Sequence, residues 1–292
     1  MERAVRFVVL VFFAIGVLKT GADNGKVPAL FSFGDSILDT GNNNNLPSLI
    51  KCNYPPYGRN FYGGKATGRF CNGRNPSDLI ADALGIKATL PAYLDPNLRT
   101  GDLPSGVSFA SGGSGIDVQT ATNQNLYELG ARRVWVLSTL PLGCLPGGRT
   151  IGGGPLRFCA PIVNGQAQLF NGLLSSAVHS IRSSLPNFDI RFIDVYTPLL
   201  NLIQNPQQAG FLDVAEGCCG TGVFGVAGLC TLFSVCPNPA TYVFWDYAHP
   251  TERAYQFVVS SVLHIARYMK LLPTVLLKNC KKQIDMKYGE SS

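Results

Sequence analysis

Three histidines limit the acid–base chemistry open to this 292-residue chain, and one of them stands where chemistry needs it. His249 lies in "YVFWDYAHPT", where an apolar, strand-like run ends in Asp246 and the imidazole directly precedes Pro250. A residue before proline is pushed out of the helical region, so His249 belongs to a loop just before a helix opens. Asp246, three residues earlier, can fold back on a tight turn and accept the proton of one imidazole nitrogen, leaving the other as a base. Such a base serves a hydroxyl, because serine attacks at neutral pH only when a neighbour takes its proton. Ser36, in "FSFGDSILDTGNNNN", sits at the end of a short apolar strand and is followed by a turn-forming tract. The three residue types together suit acyl transfer through a serine nucleophile. The plainer alternative has Asp246 capping the following helix and His249 on the surface.

The rivals are weaker. His179 falls inside a helical stretch that ends at Pro186, and His264 sits among apolar residues of the last helix, so both read as packed or solvated helix residues. Ser111 and Ser114 belong to the glycine cluster "SGGSG", a setting suited to backbone donors rather than to a nucleophile.

The elements that must position these residues alternate between strand and helix. Ala29 to Phe33, Gly106 to Ser111, Arg132 to Thr139 and Asp189 to Tyr196 are short apolar or β-branched runs that read as strands. Asn164 to Leu185 reads as a helix in which Ile162, Leu169, Leu173 and Val178 recur near helical spacing. A last amphipathic helix follows Pro250. Strands separated by helices predict an α/β fold with a parallel sheet, whose functional groups gather at the carboxyl ends of the strands. Ser36 stands at such an end.

The first 22 residues read as a secretory signal: Arg3 and Arg6 flank an apolar run from Phe7 to Leu18, and Thr20-Gly21-Ala22 offers small residues for cleavage. The run is short for a bilayer span, so no stable membrane anchor is expected. The formal charge of +6 is spread too thinly for a nucleic-acid partner. Nine cysteines behind a secretory signal predict disulfides, four of them crowded into residues 218 to 236. That cluster lacks the paired Cys-x-x-Cys spacing of zinc sites, and no metal or organic cofactor is expected. The odd count leaves one thiol over, for which Cys280 is a candidate. "GTGVFGVAGLCTLFSVC", Gly220 to Cys236, reads as a partly buried loop, since its four glycines disfavour a helix. No Asn-x-Ser/Thr sequon lacks a proline, so N-glycosylation is not expected. Nothing in the pattern sets an oligomeric state.

The blocks around these residues, read in order, resemble the GDSL-type esterase/lipase family of plants. They are Gly34-Asp35-Ser36 after a strand, "NNNN", "YPPYGRNF", "TGRFCNGR", "GVSFASGGSGI", "PLGCLP", "CCGTG" and "FWDYAHPT", spread over residues 27 to 267. The resemblance implies an SGNH-hydrolase fold, a flavodoxin-like three-layer α/β/α sandwich around a parallel sheet. It implies Ser36 as nucleophile, His249 as general base and Asp246 as its orienting partner. The oxyanion hole would take the Ser36 N–H, Gly113 and an asparagine from a Gly-x-Asn-Asp block. The substrate would be a small-molecule or lipid ester, hydrolysed outside the cell.

One block is missing. After "SGGSGIDVQT" the family continues for several tens of residues, whereas this chain resumes through "ATNQN" at "LYELGARRVWVLSTLPLG". The Gly-x-Asn-Asp asparagine is absent, and with it the central strand of the family's sheet. The two flanking strands then must pair directly or leave a gap. Asn123 or Asn125 is the only local stand-in for the lost donor. The tail from about Leu272 also departs from the family. Three readings follow: an esterase with impaired activity, a non-catalytic secreted protein that binds lipid or wall polymers, and an unstable product of altered splicing.

Overall fold

A computed structural model describes residues 14–16, 27–115, 126–127, 130–223, 225–231 and 234–268. The expected signal peptide (apart from 14–16), Asn123, Asn125, Cys280 and the divergent tail lie outside them. The described strands are β1 (Ala14–Gly16), β2 (Phe31–Phe33), β3 (Arg133–Leu137), β4 (Asp189–Ile193), β5 (Asp213–Gly217) and β6 (Tyr242–Phe244). The helices are α1 (Pro76–Ala83), α2 (Pro146–Gly152), α3 (Pro161–Ser184), α4 (Tyr196–Gln204) and α5 (Glu252–Tyr268). The fold is α/β.

β3 has the strongest apolar pattern, and its side chains from Val134 to Leu137 are all buried, as befits a strand covered on both faces. β4 pairs with it in parallel, from Arg133 opposite Asp189 to Leu137 opposite Ile193, and α2 and α3 make the crossover. β5 and β6 form a second parallel pair that delivers Asp246 and His249. Proline opens α1, α2 and α3 at their first turn, where its missing N–H costs nothing. Asn75 and Asp78 cap α1 reciprocally. Inside that helix Asp78 receives Arg69 in a fully buried bidentate pair, at 2.6 and 2.7 Å.

The sheet corrects the expectation that the strands flanking the missing segment pair directly or leave a gap. Its order is β2-β1-β3-β4, so the slot between the serine strand and β3 is neither open nor closed by direct pairing. β1, from the apolar leader, fills it antiparallel to both neighbours, with Ala14 opposite Phe33 and opposite Val136. Two buried strand edges need ladder partners, and an extended run of backbone supplies them whatever its origin.

Three local expectations also change. Gly106 to Ser111 forms no strand of its own; it bridges β2 and Ala92 through Ser108, with Gly106 at φ 98° breaking its start. The strand from Asp189 stops at Ile193, because Asp194 Oδ1 accepts the N–H groups of Tyr196 and Thr197 and opens α4. The apolar stripe on α3 is uncovered: Ile162, Leu169 and Leu173 are 77%, 67% and 63% exposed, while Val178 is buried.

The cysteine-rich loop is closed by disulfides Cys218–Cys236 and Cys219–Cys230, and Cys144–Cys159 ties α2 to the start of α3. Cys52 and Cys71 are buried thiols, so Cys280 is not the sole candidate for an unpaired cysteine. Among the described residues no helix is long and apolar enough to cross a membrane.

Candidate active site

β2 ends at Phe33, and Gly34, with φ 149°, turns the chain so that Ser36 follows on a half-buried bend. Asp35 secures that bend from inside: its carboxylate accepts the Ile37 N–H and its carbonyl accepts those of Leu38 and Asp39. Burial raises the proton affinity of Asp35 above the usual carboxylate range.

β6 leads through buried Trp245 into a turn built on Asp246. Asp246 Oδ1 accepts the N–H groups of Ala248 and His249, each at 2.8 Å. The Trp245 N–H donates to the His249 carbonyl at 2.7 Å, closing the turn. Gly217 of β5 lies so close that a Cβ there would meet the Asp246 backbone at 2.8 Å, a contact only glycine permits. Asp246 does not cap α5; Thr251 Oγ1 accepts the Ala254 N–H instead.

The turn and the bend meet. His249 Nε2 is 2.7 Å from Ser36 Oγ, and His249 Nδ1 lies 2.8 to 2.9 Å from both Asp246 oxygens. Asp246 and His249 are buried and Ser36 is half-exposed, so the hydroxyl is the one member open to a substrate. The Phe70 ring lies 5.2 Å from the imidazole and restricts its rotation. With Nδ1–H directed to the carboxylate, Nε2 carries a lone pair facing the hydroxyl, an arrangement able to accept a proton from Ser36.

Tyr57 joins the site, and sequence reasoning did not single it out. Its hydroxyl donates to Asp246 Oδ2 at 2.9 Å, accepts the Ala227 N–H at 2.8 Å, and lies 3.3 Å from Cys230 Sγ. Burial and the adjacent carboxylate hold this phenol protonated. The block "YPPYGRNF" was the available signal, but only the fold shows which tyrosine turns inward.

The asparagine run also has a structural task. Asn42 Nδ2 donates to the carbonyls of Ser108 and Ala110, Asn43 Nδ2 to those of Ile50 and Gly112, and Asn44 and Asn45 to Thr67 and Leu94. Each amide thus ties a loop carbonyl to the serine loop. Asp39 adds a link, accepting the Gly41 and Asn42 N–H groups with one oxygen and the Gly112 N–H with the other, at 2.9 Å. The Ser111 N–H donates to the Gly34 carbonyl. These bonds hold Gly112-Gly113 beside the serine bend. Among the described residues neither the Ser36 nor the Gly113 N–H donates to another group. Ser111 Oγ is occupied by Asn43 Oδ1, and His179 and His264 are exposed on α3 and α5, away from this cluster. No three His, Cys, Asp or Glu side chains among the described residues converge as metal ligands.

Comparison with known proteins agrees in several places. The profile of the GDSL-like Lipase/Acylhydrolase family matches residues 119–262. The GDSL esterase/lipase At1g23500 of Arabidopsis thaliana is 40% identical over 327 positions, covering 86% of this chain and 92% of the relative. GDSL esterase/lipase EXL3 of the same plant is 40% identical, covering 82% and 87%, and At3g14820 is 38% identical, covering 90% and 97%. An alignment of 327 positions is longer than the whole 292-residue chain, so several tens of its positions have no residue here.

Proposed function

The chain belongs to the GDSL esterase/lipase family and is a hydrolase of ester bonds; on that premise we propose that Ser36 is its nucleophile, His249 its general base and Asp246 the group that orients the base. The observation that carries this reading is the 2.7 Å contact of Ser36 Oγ with an imidazole whose other nitrogen rests on a buried carboxylate. In the first step Ser36 Oγ bonds to the ester carbonyl carbon while its proton passes to His249 Nε2. The tetrahedral oxyanion is received by the Ser36 and Gly113 N–H groups. As the intermediate collapses, the C–O bond to the alcohol breaks and Nε2 returns the proton to that oxygen. Water then repeats the sequence on the acyl-enzyme, releasing the acid and restoring the Ser36 hydroxyl.

The reading includes impaired turnover. Without the Gly-x-Asn-Asp asparagine the oxyanion loses a third donor, a loss typically worth about a hundred- to a thousand-fold. Three features support an internal shortening near residues 120–125: the surplus alignment positions, the sheet slot filled by β1, and the bare apolar stripe on α3. That stripe also favours a second reading, a chain of low stability. Secretion rests on Arg3, Arg6 and the apolar run behind them. Cleavage at Thr20-Gly21-Ala22 would remove β1 along with the leader.

The deciding experiment is hydrolysis of a short-chain nitrophenyl ester by the purified protein beside Ser36→Ala. Turnover abolished by the substitution supports the serine mechanism; equal background from both removes it.

A further inference from the structure

The turn that carries Gly113 has a degree of freedom built into its sequence. Ser111 to Ser114 form a β-turn, closed by the Ser114 N–H donating to the Ser111 carbonyl at 3.1 Å, and Gly113 in its third position has φ 89°. A positive φ there marks a type II turn. Types I and II differ by a half-turn of the central peptide, here the one joining Gly112 to Gly113, and two glycines tolerate either. A planar trans peptide directs its C=O and N–H oppositely, so a flip would turn the Gly113 N–H to where the Gly112 carbonyl now lies. Asn43 holds that carbonyl, with Nδ2 donating to it at 2.8 Å. Asn43 is buried, Nδ2 donates also to the Ile50 carbonyl at 2.8 Å, and Oδ1 accepts the Ser111 hydroxyl, which fixes the amide itself. The fit is close: a Cβ on Gly112 would meet Asn43 Nδ2 at 2.9 Å and Phe70 Cζ at 2.7 Å.

We infer that Asn43 is a positioning residue of the oxyanion hole: its grip on the Gly112 carbonyl sets the direction of the Gly113 N–H. The inference rests on Ser36 as the nucleophile and Gly113 as a donor. Asn43 touches no reacting atom and acts through one peptide plane. Asn42, Asn44 and Asn45 hold the carbonyls of Ser108, Ala110, Thr67 and Leu94, whereas Asn43 alone of the four grips the peptide that ends in the Gly113 N–H. That N–H points away from Asn43, on an exposed residue, and is aligned before substrate arrives. A donor fixed in advance stabilises developing charge without reorganising during the reaction. A carbonyl that accepts a hydrogen bond also polarises the N–H of its own peptide, which strengthens that donor. With the proposed hole reduced to two donors, one of the two depends on this amide.

The test compares Asn43→Asp and Asn43→Ala with Asn45→Asp, which loses only a tie to the Leu94 carbonyl. Aspartate keeps the acceptor for Ser111 but sets an oxygen against the Gly112 carbonyl, so the flipped peptide, with its N–H on the carboxylate, is preferred. Loss of one oxyanion donor costs about a hundred- to a thousand-fold, so kcat for a nitrophenyl ester falls about a hundredfold in Asn43→Asp while KM changes little. Alanine frees the peptide without reversing it, and the fall is smaller, about tenfold; this variant decides the matter if the aspartate variant does not fold. A trifluoromethyl ketone gives a second readout. Ser36 Oγ bonds to its carbonyl carbon, the proton passes to His249 Nε2, and the carbonyl oxygen becomes the oxyanion. Its inhibition constant rises by the factor by which kcat/KM falls. Folded Asn43 variants that match Asn45→Asp in kcat and in ketone affinity overturn the inference, as does a loss confined to KM. If the parent is no faster than Ser36→Ala, the nucleophile assignment fails separately, and the nitrogen-15 resonance of the Gly113 amide judges the lock. A hydrogen bond to a carbonyl deshields the nitrogen of the same peptide, so an upfield shift in both Asn43 variants upholds the inference and an unmoved resonance refutes it.

Discussion

The Tyr57 hydroxyl donates to Asp246 Oδ2 at 2.9 Å, while the Asp246 turn supplies two backbone N–H groups to Oδ1. The carboxylate is therefore gripped from both sides, and its orientation toward His249 Nδ1 is fixed by groups outside the Ser–His–Asp set. Tyr57 is in turn held by the Ala227 N–H, from the loop that the Cys219–Cys230 disulfide closes.

Tyr57→Phe keeps the ring among Phe70 and Trp245 and removes the donor to Asp246 together with the acceptor of the Ala227 N–H. A hydrogen bond to a charged group contributes about 1.5–3 kcal/mol, so kcat falls about tenfold or more while KM changes little. Steady-state kinetics that show a raised KM with unchanged kcat contradict a positioning role.

Asp246→Asn preserves the shape of the turn but cannot hold the imidazole in the tautomer that frees Nε2. Triads of this kind lose on the order of 10^4 in kcat from the change. Against the slowed parent proposed above, the variant is expected at the Ser36→Ala background. Circular dichroism matching the parent would assign the loss to chemistry rather than to unfolding.

The Arg69–Asp78 pair is buried and bidentate, and Arg69 also donates to the carbonyls of Thr40 and Leu90. Asp78→Asn leaves the guanidinium without its counter-charge, which costs about 3–5 kcal/mol. Denaturant titration reads the effect, and a change below about 1 kcal/mol would show that water reaches the site.

Burial raises the proton affinity of the Asp39 carboxyl despite the N–H groups it accepts. A carboxyl whose folded pKa exceeds its unfolded value contributes stability that is present below the unfolded value and is lost as pH rises through the folded one. Asp35 is shifted in the same direction. Stability is therefore expected to decline as pH rises from about 4, the ordinary carboxylate value, and Asp39→Asn to flatten that decline. A steeper slope in the variant would contradict the assignment.

A chain beginning at Val27 lacks β1 and exposes the facing edges of β2 and β3. Several ladder bonds at about 1 kcal/mol each are lost, and the melting temperature drops by roughly 5 °C or more. Thermal melts of the two chain lengths test this, and N-terminal sequencing of the exported protein shows which of them exists outside the cell. An unchanged melt would mean that another segment closes the slot.

The sequence by itself determined the fold class and the positions of the candidate triad along the chain. Ser36 follows a strand, His249 precedes a proline, and Asp246 stands at turn distance from it; local rules of backbone geometry suffice for such placements. The alternation of β-branched runs with helical spacing likewise gives an α/β fold, because each signal is carried within a dozen residues. Tertiary structure decided what depends on distant partners. It put β1 in the slot of the absent strand, since backbone hydrogen bonding accepts any extended segment and leaves no mark in side-chain pattern. It left Ile162, Leu169 and Leu173 bare on α3, where spacing predicts a face but not what covers it. It turned Tyr57 inward onto Asp246 across 189 positions, a relation no local periodicity encodes. It made the asparagine run a set of ties between loops, because the carbonyls those amides reach come together only once the loops have folded.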